Sequence, residues 1–183
     1  MVTLNGCASL KKAAALAQHA VGGIYDPTKQ IVNDQLTVIL DAVVCQDAAM
    51  LKTQFAPNAI AAQPELDSQI EELFHYYGGK MGEICSISAH AGSSSDGTGE
   101  KKRDYAMSGK ITSGETHLVY IRATTKDTND PDNIGVWTLI LRRKADETDY
   151  PDELSYHVIG EDDMVGIYVG LPAYRFDLEL PAA

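Results

Sequence analysis

A chain of 183 residues with 44% apolar and 22% charged residues has the size and make-up of one globular domain, long enough to bury most of a single core. Its formal charge of −11 repels phosphate backbones and anionic lipid head groups, so nucleic acid is not the expected partner. No apolar run approaches the roughly 20 residues that cross a bilayer, and the basic runs Lys101-Lys102-Arg103 and Arg142-Arg143-Lys144 read as solvated strand ends.

First in chain order comes Leu4-Asn5-Gly6-Cys7, which resembles the end of a bacterial lipoprotein signal. The resemblance implies lipidation of Cys7, an extracytoplasmic chain that meets the membrane only through that lipid, and residues 1–23 as a tether or short helix. A cytoplasmic chain with a free thiol at Cys7 is the alternative. Ala8 to Ala20 is rich in strong helix formers and is closed by Gly22-Gly23. A second helix starts near Asp26-Pro27 and presents Ile31, Leu36, Ile39, Leu40, Val43 and Val44 along one face. Asp47 to Phe55 forms a short helix stopped by Pro57, and Pro64 to Tyr77 forms another, stopped by Gly78-Gly79.

From Met81 the period changes to two. The expected strands run from Ile84 to Ala89, Lys101 to Thr112, Thr116 to Thr125 and Gly135 to Arg143, a four-stranded meander. Gly92 to Gly99 reads as a flexible connector, Ser113-Gly114-Glu115 as a tight turn, and Asp127 to Asn133 as an acidic loop. These boundaries give a domain over 24–145 and an extension over 146–183 that packs on it. Within the extension Val165, Ile167 and Val169 alternate as in a short strand, placed on the outer face of the sheet or along its edge. Cys45 and Cys85 are either two buried reduced thiols or, if the helix bearing one packs on the strand bearing the other, a disulfide.

Asp41 to Pro57, a helix, a short acidic break and a helix ending in Phe-x-Pro, resembles the nuclear-transport-factor-two-like superfamily. Gln69 to Phe74 with Tyr77, the Ser-rich Gly92 to Gly97 segment, and Thr125-Lys126-Asp127 through Val136 look more closely like an uncharacterised, often lipid-anchored family of Gram-positive bacteria. The resemblance implies an α+β fold: N-terminal helices packed on a bent, cone-shaped antiparallel sheet of four or more strands, with an apolar pocket in the cone. Sheet alternation then turns Trp137, Leu139, Leu141, Val119 and Ile121 inward and leaves Tyr105, Met107, Leu118, Tyr120, Val136 and Ile140 outward. The outward set needs a cover, either the tail or a homodimer formed through the sheet.

Enzymes on such scaffolds use an Asp or His base with a Tyr or Asp oxyanion partner, which the resemblance maps here to Asp41, His117, Tyr76 and Tyr77. Asp41 beside an apolar helix face reads first as a surface carboxylate, and His117 after a hairpin turn as a solvent-touched strand residue near the mouth of the cone. The pocket's ligand-binding residues are then Tyr76, Tyr77, Trp137 and His117. No hydrolase, nucleotide or zinc-protease motif is present, and Asp127, Asp130 and Asp132 lack the EF-hand spacing, so no cofactor and no metal is expected. The expected function is a non-catalytic module for a small apolar ligand or a protein partner; a small isomerase-like or hydrolase-like enzyme and a structural protein dimerising through its sheet are the alternatives.

Overall fold

A computed structural model describes residues 27–78, 82–95, 97–112, 114–145 and 164–170. The expected first helix, the tether and Cys7 lie outside the described residues, as does most of the C-terminal extension. Among the described residues four helices, α1 (Pro27–Cys45), α2 (Ala48–Lys52), α3 (Pro57–Ala62) and α4 (Leu66–Tyr77), precede the strands β1 (Glu83–Ser95), β2 (Glu100–Thr112), β3 (Thr116–Asp127) and β4 (Gly135–Arg143), with β5 (Gly166–Val169) last. Among the described residues they form an α+β fold with one sheet in the order β1-β2-β3-β4-β5. No described helix is long and apolar enough to cross a membrane.

The helices form where the apolar spacing places them. Leu36, Ile39, Leu40 and Val43 of α1 are buried, whereas Ile31 is 42% exposed and does not share that face. Gln46 adopts a left-handed φ of 53° that ends α1. Asp47 then caps α2 by accepting the Met50 N–H at 2.9 Å. Pro57 terminates that segment but also serves as the first residue of α3, because a proline needs no partner for the N–H it lacks. In α4, Leu66, Ile70, Leu73, Phe74 and Tyr77 line the buried side, and Gly78 closes it in the left-handed region at φ 72°.

β1 to β4 form an antiparallel meander. β1 runs on through Ser95, so Gly92 to Ser95 are sheet rather than connector. The added strand makes the sheet mixed, since β5 pairs parallel with β4, in contrast to the all-antiparallel expectation. Met107, Ile121, Leu139 and Ile167 lie opposite one another across four strands. All are nearly inaccessible, and together with the helix residues they make the core. Burial of each such side chain stabilises the fold by about 1.5–3 kcal/mol.

The register also corrects the inside–outside assignment. Tyr105 and Met107 pair with Ala123 and Ile121 and so face the core, where both are buried. A bulge opposite Arg122 and Ala123 makes Trp137 the extra residue on β4, which turns Val136 inward and takes Trp137 out of the core alternation. Leu118, Tyr120 and Ile140 do face away from the helices, yet they are only 4%, 7% and 3% exposed.

Candidate functional site

At one end of the sheet, Ile111, His117 and Arg143 are direct partners across β2, β3 and β4, so their side chains share the face on which the helices pack. The last turn of α4 brings Tyr76 and Tyr77 to this row. The His117 ring meets Tyr77 at a centroid distance of 5.0 Å and Tyr76 edge-on at 6.4 Å. His117 is 3% exposed, so it is a buried residue and not a solvent-touched one. Tyr77 is buried beside it, while Tyr76 is half-buried.

Arg143 holds Tyr76 in place. Its backbone N–H donates to the Tyr76 hydroxyl at 2.7 Å, and its Nη2 donates to the Tyr76 carbonyl at 3.3 Å. The guanidinium lies 4.7 Å from the centre of the Tyr76 ring and pairs with Glu115 at 3.3 Å. Gly170, at the end of β5, comes so near that a Cβ there would lie 3.0 Å from Tyr76 Cε2. Helix end, hairpin turn and two strand ends thus converge on one aromatic and cationic cluster. Sequence reading names the two tyrosines and the histidine. It misses Arg143 and Glu115, whose only sequence signals are a basic run and a turn residue.

Trp137 is elsewhere. It lies six residues from Arg143 along β4, roughly 20 Å at strand spacing, and its indole N–H donates to the Asn133 carbonyl at 2.9 Å. Asp41 is half-buried on α1.

The acidic loop is a structural unit. Asp127 Oδ1 accepts the N–H groups of Asn129 and Asp130, each at 3.0 Å, and Oδ2 accepts from the Asn133 amide at 3.0 Å. The Asn133 amide, the two backbone donors and nearby Lys102 hold the Asp127 carboxyl below the usual carboxylate range. Asn58 at the start of α3 donates to Asp130 and Asn133, both at 2.8 Å, tying the loop to the helices. Elsewhere in the core, the Tyr105 hydroxyl donates to Gln35, and burial pushes its pKa well above the ordinary phenol value.

Cys85 is a free, exposed thiol on β1, and Cys45 is disulfide-bonded. The two therefore do not pair with each other, and neither is a buried reduced thiol.

The family model described as Domain of unknown function (DUF5104) matches residues 38–147, more than half of the chain. The chain belongs to this family. The matched span of DUF5104 covers the C-terminal part of α1 and everything from α2 through β4, including Tyr76, Tyr77, His117 and Arg143; β5 lies beyond it. No curated protein matches the chain.

Proposed function

We propose that this chain is a non-catalytic binding module of the nuclear-transport-factor-two-like type that works outside the cytoplasm and takes a small apolar ligand. One observation carries the reading: two tyrosines flank a buried histidine between a helix end and the sheet, with Arg143 stacked on Tyr76. Aromatic faces contribute large apolar contact at low conformational cost, and a few placed polar groups orient what they hold. The site residues in this reading are Tyr76, Tyr77 and His117, supported by Arg143. The extracytoplasmic location draws on the disulfide at Cys45, since such bonds persist in oxidising compartments.

Native mass spectrometry of the full chain against a panel of apolar small molecules tests this. A one-to-one complex is expected that Tyr76→Ala weakens at least tenfold while Trp137→Phe leaves it intact. A panel without binders, or binding indifferent to Tyr76→Ala, overturns the reading. Turnover of the bound molecule that Asp41→Asn or His117→Gln abolishes would replace it with the enzymatic alternative.

A further inference from the structure

The two margins of the sheet are built differently. At β5 the outward-facing main chain is taken up by side chains from the helices. The Ile167 N–H donates to Gln69 Oε1 at 2.9 Å, and the Val165 carbonyl accepts from Gln63 Nε2 at 3.3 Å. Strand addition is blocked there. β1 forms the other margin and, among the described residues, pairs on one side only. Every second residue of such a strand turns its N–H and C=O away from the sheet.

Edge strands are commonly protected by lysine, by proline, by bulges or by being short. β1 runs from Glu83 to Ser95 with no lysine, arginine or proline. Its register shifts fall near its ends, at Ile84/Ser86 and Ser94/Ser95, so Ser86 to Ser94 stay in unbroken register over about 30 Å. Ser88 and Ala91 to Ser95 are exposed.

The core reaches this margin half-covered. Ile87 and Ala89 lie opposite Gly109 and Met107 and so share the face on which the helices pack, yet both are only partly buried. α1 touches β1, and its Gln35 accepts from the Tyr105 hydroxyl, opposite Ala91. One turn before Gln35, Ile31 is 42% exposed.

Charge and symmetry select the occupant. A second copy carries the same charge of −11, so it can approach closely only where few charges meet. Glu83 is the only carboxylate of β1. Antiparallel self-pairing sets Glu83 of each copy toward the Ser94 end of the other, where Lys102 stands opposite Ser94 on β2. Residues opposed across the new ladder share a face, so the half-covered apolar row of one copy continues into that of the other. With the β5 margin blocked, the same edge must serve both copies, and the assembly closes at two.

We propose that β1 is a dimerisation edge, pairing antiparallel with β1 of a second copy across a two-fold axis to join the two sheets into one. The outer face of β3 and β4 takes no part, and the pairing is independent of the ligand site.

Native mass spectrometry and hydrogen exchange of the full chain, each over a dilution series, test this. A particle of twice the chain mass is expected at high concentration. Peptides covering Ser86 to Ser94 should exchange at least tenfold faster once dilution has dissociated it. A chain that is monomeric throughout, a series of larger assemblies, or a dimer whose β1 exchange ignores dilution overturns the proposal. So does protection of β1 in the monomer, which would mean that the chain covers its own edge. Ser88→Pro and Ala89→Pro give a second reading, because neighbouring N–H groups point to opposite sides and only one of the two faces outward. The variant that keeps the parent's melting temperature should be monomeric; a dimer from that variant overturns the proposal. If neither variant folds, the exchange of the unsubstituted chain still decides.

Discussion

Phe55 and Val136 form a one-residue parallel bridge between the segment linking α2 to α3 and the start of β4. The Val136 N–H donates to the Gln54 carbonyl at 2.8 Å, and the Ala56 N–H donates to the Val136 carbonyl at 3.0 Å. The Phe-x-Pro motif is therefore a docking point between helices and sheet: Phe55 is buried, Ala56 is inaccessible, and Pro57 starts the next helix.

Gly135 makes that approach possible. Its φ is 135°, and a Cβ would lie 2.5 Å from the Ala56 nitrogen, against backbone that cannot rotate away. Gly135→Ala is expected to destabilise the chain by roughly 2–4 kcal/mol, combining backbone strain with overpacking. Gly114→Ala, with φ 86° and nothing within 4 Å, should cost only about 1 kcal/mol. Urea unfolding of both variants checks the ranking; equal losses would remove the bridge as the cause.

Tyr76→Phe deletes the hydroxyl that accepts the Arg143 N–H and leaves that donor half-buried. A loss of about 1 kcal/mol is expected by chemical denaturation, with the sheet intact by circular dichroism. A neutral result would mean that water replaces the hydroxyl.

Acid stability should depend on Asp127. Its carboxyl titrates lower in the folded chain than in the unfolded one, so folding favours the ionised form. The contribution is complete above the unfolded value of about 3.9 and is lost as pH falls through the lower folded value. Asp127→Asn should lower the melting temperature at pH 7 and flatten its fall below pH 4. If variant and parent lose stability in parallel on acidification, the linkage lies in other carboxylates.

The localisation proposal can be read directly by mass. Diacylglyceryl on Cys7 of the chain from its native host would establish a lipid anchor. Lipid would occupy the Cys7 sulfur, and Cys85 is free, so a lipidated chain would have no further cysteine of its own for Cys45. A disulfide-linked Cys7 to Cys45 peptide would therefore remove the anchor yet keep the oxidising compartment; free thiols at both positions would remove both.

The helices are legible in the sequence because Leu66, Ile70, Leu73 and Phe74 repeat at helical spacing and Gly78 stops them. The meander is legible because Gly114 and the Asp127 loop punctuate period-two segments. Trp137 is misassigned because one inserted residue reverses every face beyond it, and a bulge leaves no trace in apolar alternation. The Ser-rich end of β1 is hidden because its ladder is set by pairing with Arg103 and Lys102 rather than by its own side chains. His117, Tyr76 and Tyr77 can be nominated from residue type, but their meeting depends on register and on where α4 ends. Arg143 is reached only through that tertiary geometry.

The parallel pairing of β5 also sets an order of assembly. Helices and hairpins from α1 through β4 close short loops and can form as the chain emerges. β5 finds its place only after β4 exists and the long intervening segment has been closed, at a cost that grows with the logarithm of loop length. During synthesis the edge of β4 and the core positions beside Ile167 wait for residues made after the rest of the described sheet. That interval, set by elongation rate, leaves a strand edge open to pairing with other nascent chains.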